Sequence, residues 1–139
     1  MRFVKWTIAG LLAFGAAIPG TAAAQSTPRG GDPEAAKIQN PIAQSADSTT
    51  KGQAVFMTKC APCHGPKADG TPQITVEGGI TPADLTQAKY IYGTSDGEIF
   101  THIKDGILPN LNMPTWDGQI TDTDIWNIVN FLKTVRQTK

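Results

Sequence analysis

Two cysteines three positions apart, followed at once by a histidine, constrain this chain more than any other feature. The stretch Cys60-Ala61-Pro62-Cys63-His64 holds both cysteines of the 139-residue sequence, so no thiol is left for a second framework. Residues three apart lie on one side of a helical turn. Two thiols so placed can each add to one vinyl group of a single porphyrin, and the adjoining imidazole is then set to reach the metal from one face. Cys-x-x-Cys-His is the attachment pattern of a c-type haem. Two other chemistries use cysteines at this spacing. A redox disulfide belongs in a βαβ setting, of which the sequence shows no sign. A zinc site takes four ligands, and beyond Cys60, Cys63 and His64 the chain offers one further histidine, His102.

The start of the chain reads as a secretory signal peptide over residues 1–24. Arg2 and Lys5 form a positive start, and an apolar or small run follows with Leu11, Leu12, Phe14 and Ile18. Ala22-Ala23-Ala24 offers a small-x-small cleavage site. The apolar run is far shorter than the ~20 residues that span a bilayer, so no stable membrane insertion is expected after cleavage; an uncleaved anchor is the alternative. Export suits the motif, because haem is attached to such cysteines outside the bacterial cytoplasm. Removing Arg2 and Lys5 from twelve basic residues leaves ten against twelve acidic ones, a charge near −2. That balance argues against a nucleic-acid partner.

Residues 25–47 contain Pro28, Pro33 and Pro41 with Gly30 and Gly31 and little apolar periodicity. They read as a flexible linker or loosely attached arm, with a domain over 48–139. The first predicted helix covers 48–59, where Gly52, Val55, Phe56 and Lys59 share a face. Pro62 disrupts a longer helix, which puts the motif on a last, irregular turn. The stretch 65–93 carries Pro66, Gly70, Pro72, Gly78, Gly79 and Pro82 and is long for a loop in so small a domain. It makes sense as a wrapper around a haem that serves as the core. A second helix is predicted over 95–105, opened by the capping box Ser95-x-x-Glu98 and stopped by Gly106. A third is predicted over 122–136, with Ile125, Ile128, Val129, Leu132 and Val135 in one stripe. Trp126 lies off that stripe and reads as an edge residue or a partner contact. The fold class is all-α.

A haem iron bound by His64 has a sixth position to fill, and Met57, Met113 and His102 are the candidates. Met57 lies on the helix that delivers the proximal side. Met113 lies far along the chain in a loop and precedes Pro114, which fixes the local backbone; it is the favoured ligand. His102 falls toward the polar flank of its helix and reads as a surface residue, with bis-histidine ligation the minor option. A thioether ligand favours Fe(II), whereas two imidazoles lower the potential.

With these residues in view, the chain from about position 48 onward resembles the class I cytochrome c family. Gly52-x-x-x-Phe56 is similar to its N-terminal helix, and Ile128, Phe131 and Leu132 to the C-terminal helix that crosses it. The run Gly93-Thr94-Ser95-Asp96-Gly97-Glu98-Ile99-Phe100, with Met113-Pro114-Thr115-Trp116, is similar to a bacterial subgroup. That subgroup includes monohaem carriers, cytochromes of quinoprotein dehydrogenases and haem subunits of cbb-type oxidases. The resemblance implies helices crossing around one covalently bound haem c with long wrapping loops. It implies Cys60 and Cys63 as thioether sites, His64 as the proximal and Met113 as the distal ligand.

The leading functional expectation is a periplasmic electron carrier, monomeric or docked, that moves single electrons between a redox protein donor and acceptor. Lys59 and Lys67 could steer an acidic partner, and Trp116, Tyr90 or Tyr92 could line the haem or bond a propionate. Each is otherwise an ordinary surface or core residue. One rival is a permanently docked haem subunit of a dehydrogenase or oxidase. Another is a peroxidase-like haem enzyme, which needs an open sixth site and a distal acid–base group.

Overall fold

The close approach of the first and last helices organises the chain. The structure is a computed structural model that describes residues 26–108 and 113–136; the expected signal peptide lies outside them. Among the described residues four α-helices follow in order: α1 Ala46–Lys59, α2 Ala61–His64, α3 Asp96–Asp105 and α4 Asp122–Val135. Short 3-10 turns occur at Ala35–Lys37 and Glu77–Gly79, and no strand is present among the described residues. None of these helices is long and apolar enough to cross a membrane.

Helix α1 begins two residues earlier than its apolar spacing predicts. The cause is a reciprocal cap: the Ser48 amide donates to Ser45 Oγ (3.1 Å) and the Ser45 amide to Ser48 Oγ (3.2 Å), satisfying two amides that a helix start leaves without partners. Helix α1 crosses α4 at Gly52. A Cβ there would overlap the Asn127 carbonyl and lie 2.9 Å from the Ile128 nitrogen, so only glycine admits the crossing. One turn on, the Phe56 and Phe131 rings pack with centroids 5.2 Å apart. Ile125, Ile128, Val129 and Leu132 complete the buried face of α4.

Trp126 corrects the sequence expectation of an edge or partner residue. It is buried and stacks on Phe100 of α3, centroids 4.0 Å apart and rings inclined by 13°. Helix α4 is covered by α1 on one side and α3 on the other, so a residue off the main stripe is still interior. The capping box of α3 forms as expected, and Gly106 ends the helix with φ 79°. At α4, Thr121 Oγ1 accepts from the Asp124 amide (3.1 Å) and donates to Asp124 Oδ2 (2.8 Å). Lys133 Nζ meets Asp96 Oδ2 at 2.8 Å, tying the far end of α4 to the start of α3.

Residues 26–45 also depart from expectation: they are a docked strap rather than a flexible linker. The Gly30 amide donates to the Ile91 carbonyl (2.7 Å) and the Asp32 amide to Glu98 Oε1 (3.0 Å). A Cβ at Gly97 would overlap the Ala35 carbonyl, so the 3-10 turn lies directly on α3. Asn40 donates to the Trp126 carbonyl and to Asn130 Oδ1, and Asn130, fully buried, donates to the Ile42 carbonyl and Ser48 Oγ. The strap docks through backbone and amide groups, which an apolar-periodicity reading does not register.

Glu98 is the polar hub of this side. Its Oε2 accepts from the Thr94 amide (2.9 Å), the Ser95 amide (2.8 Å) and Ser95 Oγ (2.7 Å), while Oε1 takes the Asp32 amide. Burial acts to raise this carboxyl's pKa, but hydrogen bonds from Ser95, Thr94 and Asp32 outweigh it and hold the group below its ordinary value. A depressed carboxyl stabilises the fold fully above its unfolded pKa of about 4.3, and that stabilisation is lost as pH falls through the lower folded value. Glu98→Gln is therefore expected to cost about 2 kcal/mol at neutral pH. The gap from the unsubstituted protein should close as the pH falls below about 4. Urea unfolding across pH 3–7 measures it, and a pH-independent gap would contradict the assignment.

Candidate cofactor site

The motif is built where α1 breaks. The Cys60 amide still donates to the Phe56 carbonyl (2.8 Å), but the residue has left ideal helix with φ −107° and ψ −39°. The chain restarts as the single turn α2, with Pro62 in its first positions, where a missing N–H costs nothing. Cys63 and His64 both donate their amides to the Cys60 carbonyl, at 3.1 and 2.9 Å. Gly65 then reverses the chain at φ 77°. A Cβ at this position would lie 2.7 Å from the Thr71 carbonyl. The following loop folds back over the motif: the Gly70 amide donates to the His64 carbonyl (2.9 Å) and the Gln73 amide to the Pro62 carbonyl (2.8 Å).

His64 is oriented from across that loop. Its Nδ1 lies 3.0 Å from the Ala83 carbonyl oxygen. A carbonyl only accepts, so the neutral ring carries its proton on Nδ1 and presents the Nε2 lone pair. Burial pushes the imidazole pKa below its ordinary value, against the opposing effect of the Ala83 carbonyl, and so favours the neutral form that a metal requires. A second partner on the other ring nitrogen is the usual companion of a ligating histidine.

Both thiols are free, Cys60 buried and Cys63 half-buried. Burial, with a smaller contribution from Cys63, pushes the Cys60 thiol up to about 12. A thiol so held is a poor disulfide nucleophile. No three of His, Cys, Asp or Glu converge on a metal-sized point among the described residues. The donor set fits haem instead. Cys60 and Cys63 would hold it by adding S–H across its vinyl groups, sulfur to one carbon and hydrogen to the other, which would need no oxidant.

Met113 lies on the opposite arm of the chain. It is half-buried against the core cluster. Its carbonyl accepts from the Ile107 amide (3.0 Å), and Thr115 Oγ1 and the Asp117 amide bond the Lys104 carbonyl at the end of α3 (2.6 and 3.0 Å). Met57 is 43% exposed on the outer face of α1. His102 is half-buried rather than a surface residue; the strap covers it in a cavity of about 200 Å³ with Thr27, Asp32 and Asp105. Tyr90 gives its hydroxyl proton to the Leu85 carbonyl (2.7 Å), and Trp116 packs against the core. Lys59 and Lys67 are exposed. A groove of about 580 Å³ beside Lys59 runs along Asp117–Thr121 and includes none of Cys60, Cys63, His64 or Met113. The residue that sequence reasoning missed is Ala83, whose contribution is a backbone carbonyl and so leaves no side-chain signature.

The all-helical frame, with α1 crossing α4 over a thiol–thiol–imidazole turn, defines a class I c-type cytochrome. Residues 47–132 match the family described as "Cytochrome C oxidase, cbb3-type, subunit III", and the chain belongs to that family. It is similar to the "Cbb3-type cytochrome c oxidase subunit CcoP" of Azospirillum sp. (strain B510), with 29% identity over 93 residues, 67% of this chain and 30% of the relative. The "Cbb3-type cytochrome c oxidase subunit FixP" of Bradyrhizobium sp. (strain ORS 278) matches at 28% over 85 residues, 61% of this chain and 26% of that one. The matched region thus spans less than a third of these curated relatives. Among solved structures, cytochrome CL from Methylophaga aminisulfidivorans aligns with a TM-score of 0.54 and 25% identity, covering 70% of this chain and 57% of its own. A chain of the Kuenenia stuttgartiensis reducing HAO-like protein complex aligns with a TM-score of 0.61 at 20% identity, covering 72% and 50%, and shares the fold. Haem-based electron transfer follows from the family.

Proposed function

We propose that this chain carries one haem c, joined through thioethers to Cys60 and Cys63, with the iron between His64 Nε2 and the Met113 sulfur. The observation that carries the reading is the His64 Nδ1–Ala83 bond, which aims the free nitrogen of a neutral imidazole from the turn that holds both thiols. The bound group supplies the one-electron Fe(III)/Fe(II) couple. The chain's own residues set its conditions. His64 is held in one tautomer, Met113 offers a soft sulfur that favours the reduced state, and the α1–α4 core excludes water from one side. The protein is an exported, periplasmic electron carrier between a donor dehydrogenase or respiratory complex and an acceptor such as a terminal oxidase. The signal-like residues 1–24 support export, and the near-neutral charge supports protein rather than nucleic-acid partners.

A second reading is a haem domain docked on an oxidase or dehydrogenase. It is favoured by one observation: the matched region is a minor part of each oxidase-subunit relative. Co-elution with a large enzyme on purification from the native host supports docking; a free monomer supports the carrier. A peroxidase-like enzyme is disfavoured because the sequence offers no second haem motif and one further histidine, His102, which lies under the strap rather than beside the motif.

Met113→Ala tests the ligand pair. The ferric protein should show a weak far-red iron–sulfur band that disappears in the variant, together with a lower reduction potential and ready binding of added imidazole. A wild-type spectrum already high-spin, unchanged by the substitution, would refute Met113 as ligand.

A further inference from the structure

The Ala83 carbonyl that orients His64 sits in a turn held from two sides. On the motif side, Gly70 touches both members of the pair. Its amide donates to the His64 carbonyl (2.9 Å). A Cβ on it would lie 2.8 Å from the Pro82 carbonyl oxygen. The same Cβ would lie 3.3 Å from the Ala83 carbonyl carbon and 3.1 Å from the Asp84 nitrogen, the two ends of the acceptor peptide itself. Gly70 also has φ 77°, a conformation that glycine adopts without steric cost. On the far side, Leu85 has both backbone groups engaged. Its amide donates to the Ala68 carbonyl (2.7 Å), and its carbonyl accepts from the Tyr90 hydroxyl (2.7 Å). Asp84 closes the turn, its carboxylate accepting from the Thr86 amide and hydroxyl (2.9 and 2.6 Å) and from Gln87 Nε2 (2.6 Å). Tyr90 is anchored in turn: its amide donates to Thr94 Oγ1 (3.0 Å), and Arg136 at the end of α4 lies 5.7 Å from the ring centroid. Burial pushes the Tyr90 pKa above its ordinary value, so the hydroxyl stays a donor.

We propose that Gly70 and Tyr90 are positioning residues for the proximal ligand: they fix the Ala83 carbonyl against His64 Nδ1 and so set the electron-donating strength of the ring. The inference rests on His64 ligating the haem iron and involves no other ligand. Its physical basis is the polarity of the N–H bond. A carbonyl that draws on the Nδ1 proton makes Nε2 more basic, and a more basic ligand favours Fe(III). Hydrogen bonding around an axial ligand is one of the levers on a haem potential. Gly70 keeps the His64 turn and the acceptor peptide at contact distance. The Tyr90 hydroxyl, two residues along the turn, keeps that peptide from rotating away.

The test uses the full-length holoprotein with Gly70→Ala, which inserts a methyl against the acceptor peptide, and Tyr90→Phe, which deletes only the hydroxyl. Gly118→Ala is the control, because Gly118 also has a positive φ of 72° and an added Cβ would meet nothing within 4 Å. Each protein is read by NMR of the His64 Nδ1 proton and its exchange with solvent, by reduction potential and by melting temperature. In G70A the bond should lengthen and that proton exchange faster. The Fe(III)/Fe(II) equilibrium should shift about threefold toward the reduced form, a rise of roughly 30 mV at 59 mV per tenfold for one electron. Y90F should move both readings in the same direction. G118A should lower the melting temperature and leave proton and potential in place. Variants that melt earlier with proton and potential unmoved would show merely structural residues and overturn the proposal. Should G70A fail to fold, an unmoved Y90F alone overturns it. A His64 Nδ1 proton that exchanges freely in the wild type would overturn it too. Wild-type protein without covalent haem would overturn the cofactor reading together with the inference, whereas normal loading with both readings unmoved overturns the positioning role alone.

Discussion

Gly52→Ala should lower the stability of the holoprotein by about 2 kcal/mol. Alanine gains about 1 kcal/mol of helix propensity over glycine, so on an exposed helix the substitution would stabilise. Here the new methyl meets the Asn127 carbonyl and the Ile128 nitrogen, which are backbone atoms of α4 and cannot rotate aside. Overpacking of this kind costs about 3 kcal/mol at the upper end of its usual range, and the two effects oppose each other. For a domain of this size the net loss corresponds to a melting temperature about 10 °C lower. The helices would have to separate, loosening the Phe56–Phe131 contact. Thermal and urea unfolding measure the change, and an unaltered midpoint would show that the crossing has slack.

Replacing Cys60 and Cys63 together by alanine should have the larger effect. Haem then leaves the polypeptide under denaturing extraction, whereas the unsubstituted protein keeps it. A short tether holds a ligand at an effective concentration in the millimolar range. Against a micromolar dissociation constant that is a thousandfold excess, worth about 4 kcal/mol of stability. The loop after the motif is where such a dependence would lie. Ile74 and Ile80 are 52% and 36% exposed, and the protein alone gives these side chains little to pack against. Haem that becomes extractable without loss of stability would mean that the loop does not use the haem as its core.

The fold was legible wherever the signal was local. The Ser95–Glu98 box, the Gly106 stop and the apolar stripe of α4 each depend on neighbours within a few residues, and the helices they imply are present. Errors arose where a distant element decided the outcome. Trp126 reads as an edge residue only while α4 is imagined with one covered face; Phe100 covers the second. The strap has the composition of a linker, yet Asp32, Asn40 and Asn130 dock it through polar groups that have no periodicity. The candidate site divides in the same way. The thiols and imidazole announce themselves by spacing, while Ala83 meets His64 through a backbone carbonyl, and nothing in its place along the chain points to it.

The crossing at Gly52 also bears on the order in which the molecule can be made. Ser48 and Asn130, which bond beside it, are separated by 82 positions, whereas Cys60 and His64 are joined within one turn. Long-range closure is the slow, entropically expensive part of folding. The motif can therefore form its turn early, while the core that buries Cys60 is completed only when the last helix arrives. Until α4 arrives, the cluster that Cys60 joins is incomplete. On the proposed thioether attachment, that order would leave an interval in which the cofactor is joined before the closing helix completes the core.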